Sequence, residues 1–264
     1  MVERKNPFIR FLHPFFTYSA YLFLYVPVFI IAVFSFNDSA ISVRWHGFSL
    51  RWYAKLFYTQ EIIDALNVSM VVAISSTILS VLIATALIFG SSRWKSWVSS
   101  VIFYPNIILP DIALAIGVLS LFTYLKVPLG YGSLIIGHTI VGLGFSIPII
   151  RARFIELDPV LTEASLDLGA TTLQTFRKVI IPLMRPSLIA AGLVSFTLSL
   201  DDFLIAFFCS SPKVQTLSIY VYSQLKETVD PSINAISVLL LALSSVVTLL
   251  LCSLKIVDQV IGNE

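Results

Sequence analysis

The sequence has few charged residues, and this shortage sets the class of protein. Charged residues make up 12% of the 264 residues, about half of the roughly 25% usual in soluble globular domains. A mean hydropathy of +0.92 and a hydrophobic share of 57% nearly exclude a water-soluble enzyme. Only 11 glycines, 12 prolines and 2 cysteines exclude collagen-like, disordered and disulfide-scaffold chains. The composition therefore predicts an all-α polytopic membrane protein.

Six long stretches carry no charge or almost none. Each is long enough for a membrane-spanning helix, which needs roughly 20 apolar residues. They are too long and too uniformly apolar for the strands of a membrane barrel, which have about 10 residues in strict alternation. We therefore predict a single transmembrane domain over residues 1–264 with six helices. The predicted spans are 11–36, 65–90, 98–124, 130–150, 186–210 and 232–254.

The loops between these spans predict the orientation. If the N-terminus lies in the cytoplasm, the inner segments hold eleven of the 17 Lys and Arg residues and the outer segments hold six. Short cytoplasmic loops are enriched in Lys and Arg. Both termini are therefore expected on the cytoplasmic side of a multi-pass membrane protein.

The sequence offers no set of residues for chemistry of its own. A Gly-x-x-x-x-Gly-Lys phosphate loop is absent, as are a nucleophile-and-base arrangement and a cysteine cluster. The histidines His13, His46 and His138 stand alone, without metal-ligand spacing. A net charge of +2 does not indicate a nucleic-acid partner. We expect no enzyme activity, no metal and no cofactor on this chain, so that an ATP-driven mechanism would need its ATPase on another chain.

An outer loop, residues 38–64, is rich in aromatic residues. Aromatic side chains close to the ends of membrane spans are typical anchors at the membrane interface. They are also compatible with a surface that meets a partner or ligand outside the cell, and both interpretations stay open. Trp52 could stack on a cation or a methylene chain. Its aromatic and histidine residues include Trp45, His46, Trp52, Tyr53, Phe57 and Tyr58.

An inner loop, residues 151–185, is too long to be an ordinary connection without structure. We predict two short helices in it. The first begins at Thr162 as N-cap and ends at Gly169, and the second precedes Pro182 and Pro186, which bracket the entry to the fifth span. The first helix suits docking into a groove on another protein, or else an amphipathic helix on the membrane surface.

This loop resembles the EAA motif of the permease subunits of bacterial ABC importers. The family pattern is Glu-Ala-Ala, three residues, Gly, nine residues, then Ile-x-Leu-Pro. The sequence has Glu163-Ala164-Ser165, Gly169 and Val179-Ile180-Ile181-Pro182 at the same spacing. It departs from the pattern conservatively at Ser165, Val179 and Ile181.

Residues 37–53, 109–115 and 195–202 further resemble permeases of the spermidine/putrescine type. The resemblance implies a type I ABC importer permease fold in a bacterial inner membrane, with a cytoplasmic coupling helix between the fourth and fifth spans. It implies a related second permease subunit, two cytoplasmic ATPase subunits that bind ATP, and a periplasmic polyamine-binding protein. The coupling segment would be residues 156–182, with Glu163, Ala164, Ser165, Gly169 and Pro182 contacting or orienting the ATPase.

Three carboxylates lie inside the apolar spans. An Asp at the centre of a membrane helix costs about 2.5–3.5 kcal/mol on insertion scales and usually faces a bundle interior or a water-filled path. On one helix, Ser195, Ser199 and Asp202 would form a polar stripe, with Asp201 on the adjoining face. A substrate path for cations is one interpretation, and satisfaction of neighbouring polar groups is the other. The third carboxylate, Asp111 after Pro110, is compatible with a helix cap and with the path.

We therefore predict the permease subunit of a polyamine importer, with Asp111, Ser199, Asp201, Asp202 and Trp52 as path residues. One alternative is an ABC importer permease for another small solute. An anion is disfavoured, since the spans contain no Lys or Arg. The other alternative is a secondary transporter driven by protons or sodium, which would leave the EAA-like loop unexplained.

Overall fold

A computed structural model describes residues 7–39, 44–90, 109–227 and 232–253. Among these residues the chain is helical, with two isolated bridges, Asn37–Phe48 and Ser211–Val214, and no longer strand. The helices are α1 (Pro7–Phe34), α2 (Arg51–Tyr58), α3 (Gln60–Gly90), α4 (Asp111–Tyr124), α5 (Tyr131–Glu156), α6 (Pro159–Asp167), α7 (Thr172–Thr175), α8 (Ile181–Asp201), α9 (Leu204–Cys209), α10 (Leu217–Glu227) and α11 (Ser232–Ser253); a π-helical turn (Phe176–Ile180) joins α7 to α8.

Five of these segments are long and apolar enough to cross a membrane. They lie in α1, α3, α5, α11 and the continuous stretch Thr172–Asp201. The predicted all-α membrane class is therefore confirmed. The third predicted span, 98–124, is represented by the 14 residues of α4, because residues 98–108 lie outside the described part of the chain. A count of six spans thus stays a prediction.

The described residues fall into two compact units. The first unit comprises residues 1–59 and 223–241 and contains α1 and α2. Within helix α1, the stretch Pro14–Phe34 carries no charged residue and is apolar, and none of its residues is buried within the protein. A helix that is hydrophobic all round belongs in lipid or against another membrane helix, which agrees with a membrane-spanning role.

Asn37 organises the loop between α1 and α2. Its side chain is fully buried. The amide Nδ2 donates to the carbonyl of Arg44 (2.6 Å), and Oδ1 accepts from the backbone N–H of His46 (2.8 Å). The carbonyl of Asn37 accepts the indole N–H of Trp52 (2.8 Å). One buried amide thus fixes the loop and the start of α2, since buried polar groups require such partners.

The second unit, residues 60–222 and 242–264, has three closely packed helices at its centre. Helix α3 packs against both α5 and α8. Small residues permit the close approach: a Cβ added at Gly142 would overlap Ser80 Oγ and lie 3.1 Å from Ser80 Cβ. Hydroxyls bond across the helices, with Ser80 donating to the carbonyl of Thr139 (3.1 Å) and Ser146 sharing a hydrogen bond with Ser195 (2.8 Å). Small residues and interhelical hydrogen bonds replace hydrophobic burial as the attraction between membrane helices.

Two apolar clusters extend this packing along the unit. One joins α3, α4, α5, α9 and α10, and has Phe122, Leu134 and Ile205 among its buried members. The other joins α3, α5 and α8 with the π-helical turn, and includes Ile150 and Met184. Together they hold α4, α5, α8 and α9 in fixed positions, and those four helices supply the cavity described next.

Candidate functional site

The fifth predicted span is interrupted at its two aspartates. The sequence predicts one helix through residue 210, but α8 ends at Asp201, and Asp202 has an extended backbone (φ −68°, ψ 126°). The helix resumes at Leu204 as α9. Asp is a poor residue for a helix interior and a good one for a cap, and both carboxylate oxygens of Asp202 accept the backbone N–H of Ile205 at 3.1 Å. Asp202 therefore does not continue the helical stripe expected from Ser195 and Ser199.

A cavity of about 370 Å³ opens beside this interruption. Three carboxylates line it: Asp111, Asp201 and Asp202. No Lys or Arg belongs to its lining, as far as the described residues go. The remaining lining is mainly apolar: Leu114, Val141, Phe145, Leu198, Phe203, Leu204 and Ile205. The structure thus brings together three acidic residues that lie up to 91 positions apart in the sequence.

The three carboxylates have different surroundings. Asp201 is exposed and accepts a hydrogen bond from the Ser244 hydroxyl of α11 at 3.1 Å. Asp111 is the first residue of α4, and Pro110, not Asp111, is the N-cap, without a side-chain bond. The expectation that Asp111 caps this helix is therefore not met, although a carboxylate in the first turn suits the positive end of the helix dipole. The cavity receives the negative end of α8 but also the first turns of α4 and α9, whose helix ends are positive. Its attraction for cations therefore comes from the three carboxylates.

Ser199 lies behind the cavity and is not part of its lining. Its Oγ accepts from the Ser76 hydroxyl (3.3 Å) and shares a hydrogen bond with Nδ1 of His138 (2.9 Å). The predicted path residue thus joins α3, α5 and α8 in the seam between them.

Trp52 belongs to the first unit and lies in helix α2, not in a loop. It is 8% exposed. The guanidinium carbon of Arg51 lies 4.5 Å and Nζ of Lys55 lies 5.3 Å from the centre of its ring. The loop aromatics therefore divide into a buried anchor, Trp52, and strongly exposed rings such as Phe57 and Tyr58.

The EAA-like segment forms helix α6, and it begins earlier than predicted. Asp158, not Thr162, is the N-cap, and its carboxylate accepts the backbone N–H of Val160 at 2.9 Å. Pro159 follows in the first turn, where its fixed φ favours a helix start. No residue of α6 is buried. Glu163 and Ala164 are exposed and Ser165 is half-buried, so this surface is available for docking.

Gly169 ends α6 as the sequence predicts. Its φ is +83°, in the left-handed region that glycine adopts without strain. The N–H of Gly169 donates to the carbonyl of Leu166 (2.9 Å) and that of Ala170 donates to Ser165 (3.1 Å). These two bonds form a Schellman motif, which fixes the direction in which the chain leaves the helix.

The second predicted short helix is not separate. Helix α7, the π-helical turn and α8 run continuously through Pro182 and Pro186. A proline ring clashes with the carbonyl four residues earlier, and the wider π turn just before Pro182 gives it room. Ser165 shares a hydrogen bond with the buried Thr175 (2.9 Å), which ties α6 to the start of this long helix.

Two features of the site are not among the predictions from the sequence, namely the helix interruption and the role of His138. The helix interruption had a signal, because two successive aspartates stand where Asp202 can accept the N–H of the residue three positions on. His138 also had one, because a histidine in an otherwise apolar span needs a hydrogen-bond partner. Its lack of metal-ligand spacing excludes a metal site but not such a hydrogen bond.

Comparison with known proteins gives a family. A family model described as "Binding-protein-dependent transport system inner membrane component" matches residues 76–262. The spermidine/putrescine transport system permease protein PotC of Escherichia coli (strain K12) is 35% identical over 244 residues, covering 91% of this chain and 92% of that protein. The putrescine transport system permease protein PotI of the same organism is 34% identical, covering 86% and 84%.

Solved structures show the same fold at low identity. A bacterial ABC transporter involved in the import of the acidic polysaccharide alginate matches with a TM-score of 0.69 at 15% identity, covering 97% of this chain and 96% of that chain. The MetNI methionine ABC transporter matches with a TM-score of 0.56 at 18% identity, covering 75% and 95%. These matches describe the fold of the chain and carry no information on its substrate.

Proposed function

Because the chain belongs to the inner-membrane components of binding-protein-dependent transport systems, we propose that it is the permease subunit of an ATP-driven importer of spermidine or putrescine. The cavity with three carboxylates and no Lys or Arg in its described lining carries the proposal. The names of relatives about one-third identical over most of the chain support the same substrate class.

The chemistry of the cavity matches an elongated polycation. Each ammonium group of a polyamine needs acceptors when it loses water, and charge-assisted bonds to carboxylates are the strong ones. Asp111, Asp201 and Asp202 supply them. The apolar lining, which includes Phe145 and Phe203, suits the methylene segments between the ammonium groups.

The interruption between α8 and α9 is a second feature of the cavity that suits a substrate path. Transporters often bind substrates where membrane helices are discontinuous, because the free helix ends supply partial charges inside the membrane. Irregular backbone at this depth is tolerated where it lines a cavity. The interval between α8 and α9 is such a place, and Asp202 lies in it with its carboxylate accepting the N–H of Ile205.

The coupling segment would receive the ATP-driven movement. In this proposal, Glu163, Ala164 and Ser165 dock α6 onto a cytoplasmic ATPase, while Gly169 and Pro182 set its angle to α8. The Ser165–Thr175 bond transmits that movement to the helix that ends at the cavity. The chain itself would bind no ATP and hydrolyse none.

The complete importer would contain more chains. We propose a related second permease, two ATPase subunits and a periplasmic polyamine-binding protein, in a bacterial inner membrane with both termini of this chain in the cytoplasm. Alternating access would then arise from rocking of the two permeases around the cavity.

Asp201→Asn and Asp202→Asn should each lower uptake of radiolabelled spermidine and putrescine by about tenfold or more, as expected for loss of a charge-assisted bond of about 1.5–3 kcal/mol. Asparagine still accepts the bond from Ser244 or from the N–H of Ile205. Assembly of the complex should therefore be retained. The measurement is initial uptake in cells that express the whole importer, at equal membrane abundance.

Two controls isolate the charge. Asp64→Asn removes a carboxylate that lies at the start of α3, bonded to Gln60 and outside the cavity lining. Ser244→Ala removes the hydrogen bond to Asp201 but keeps its charge. Both should import at close to the normal rate. Normal polyamine import by the two cavity variants, with the complex intact, would disprove the assignment of the path.

Trp52 stays a predicted path residue, and aromatic replacement tests it. Trp52→Phe keeps a ring for a passing cation but loses the bond to Asn37, whereas Trp52→Leu loses both. Cation–π contacts contribute about 0.5–2 kcal/mol, so uptake per assembled complex should be roughly 2- to 30-fold higher with Phe than with Leu. Equal uptake per complex for the two variants would leave Trp52 with only its structural bond.

A further inference from the structure

His138 is a buried polar residue of α5 in the apolar interior of the second unit. It is 3% exposed. Nδ1 and the Oγ of Ser199 lie 2.9 Å apart and share a hydrogen bond. Ser199 in turn accepts from Ser76 of α3. One imidazole thus connects α5 to α8, and through Ser199 to α3.

The bond lies directly behind the acidic cavity. Val141, one turn of α5 beyond His138, lines the cavity, and so do Leu198 and Asp201 on either side of Ser199 in α8. The His138–Ser199 bond therefore joins two walls of the cavity within a turn of the residues that form its surface. A shift of α8 at Ser199 would move Asp201 and the α8 end together.

The second ring nitrogen of His138 indicates that this residue serves to bond Ser199 and not merely to fill space. Nε2 of His138 is buried and has no hydrogen-bond partner among the described residues. An unsatisfied polar atom in an apolar interior is unfavourable. An apolar side chain would fill the same space without that cost, but it would not bond Ser199.

We propose that His138 is a positioning residue that, through Ser199, holds the end of α8 so that Asp201 and Asp202 face Asp111 across the cavity. The inference rests on the proposed function, because it assigns His138 a part in the affinity of that same cavity. It acts through Ser199 and requires no contact between the imidazole and the substrate.

Four variants of the whole importer test the role: His138→Leu, His138→Asn, His138→Gln and Ser199→Ala. Asparagine places a polar atom near the position of Nδ1, whereas glutamine places one near Nε2. The readouts are the apparent KM and the maximal rate of spermidine uptake, measured per assembled complex. Thr139→Val is the matched control, since among the described residues its buried hydroxyl bonds only within its own helix, to the carbonyl of Ile135.

His138→Leu and Ser199→Ala should each raise the apparent KM about tenfold or more, because small displacements of binding groups have effects of this size or greater. The maximal rate should change much less. The double variant should be no worse than either single one, as expected for residues that act as a unit. His138→Asn should keep a near-normal KM, as should Thr139→Val.

Three results would overturn the inference. One is an unchanged KM in His138→Leu and Ser199→Ala while Asp201→Asn and Asp202→Asn impair uptake, in which case the proposed function stands alone. Another is rescue by His138→Gln but not by His138→Asn, which would place the role at Nε2. The third is normal uptake in the aspartate variants, which removes the proposed function first. If His138→Leu fails to assemble, Ser199→Ala and His138→Asn still decide the question.

Discussion

Gly169→Val should abolish most transport while leaving the membrane helices folded. The backbone of Gly169 has φ +83°, which costs a side-chain-bearing residue about 1–2 kcal/mol and a β-branched one more. Among the described residues, no atom beyond the adjacent residues lies within 4 Å of a Cβ placed there, so the effect is conformational and not steric. The two Schellman bonds would be lost, and α6 would leave its position relative to α8. Polyamine uptake should fall by about tenfold or more.

The graded control is the series Gly169→Asn, Gly169→Ala and Gly169→Val. Asparagine enters the left-handed region most readily among residues with side chains, so uptake should decrease in the order Gly, Asn, Ala, Val. Co-purification of the ATPase subunits separates loss of docking from loss of transmission. Equal uptake and equal ATPase retention across all four would exclude a coupling role for this turn.

Gly142→Ala should lower the stability of the folded protein, whereas the same methyl addition at Gly132 should not. Its new Cβ would overlap Ser80 Oγ and lie 3.1 Å from Ser80 Cβ, at the closest approach of α3 and α5. Overpacking of this kind costs about 1–3 kcal/mol. The thermal unfolding midpoint of the purified complex in detergent should therefore fall, together with the amount of protein in the membrane.

Gly132→Ala is the matched control, because in the described part of the chain no other segment comes within 4 Å of a Cβ at that position of the same helix. It should be neutral or slightly stabilising, since alanine favours helices over glycine by about 1 kcal/mol. Adding Ser80→Ala to Gly142→Ala removes the overlapping oxygen and should restore part of the lost stability. A midpoint that is the same for Gly142→Ala and Gly132→Ala would show that the seam can expand without penalty.

The parts of the fold that the sequence predicts well depend on local physics. The apolar runs gave α3, α5 and α11 to within a few residues at most boundaries, because helices in a membrane must satisfy their backbone internally. Gly169 was identified as the end of α6 because few residues other than glycine adopt its conformation easily. The family was recognised from a spacing in the sequence, Glu163 to Pro182, and the family model confirms it.

The wrong helix boundaries also have local causes, because neighbouring residues in the sequence favour different helix starts and ends. Asp158 and Thr162 are both good N-caps. Pro159 favours a helix start at its own position, and the helix accordingly begins after Asp158. Pro182 predicts a helix boundary, but the helix continues through it after a π-helical turn. Asp202 is predicted within a helix, but the helix ends before it and its carboxylate accepts the N–H of Ile205.

The sequence by itself determined the class of protein, the family and the acidic sign of the charges within its apolar spans. These follow from composition and spacing, which need no knowledge of which helices touch. Only the tertiary structure decided that Asp111 shares a cavity with Asp201 and Asp202, that Ser199 lies behind it, and that His138 bonds Ser199. Such contacts depend on the rotation of each helix against its neighbours. The packing of small residues such as Gly142 and Ser80 determines that rotation. In a helix that is apolar on nearly every side, no hydrophobic pattern in the sequence records that rotation.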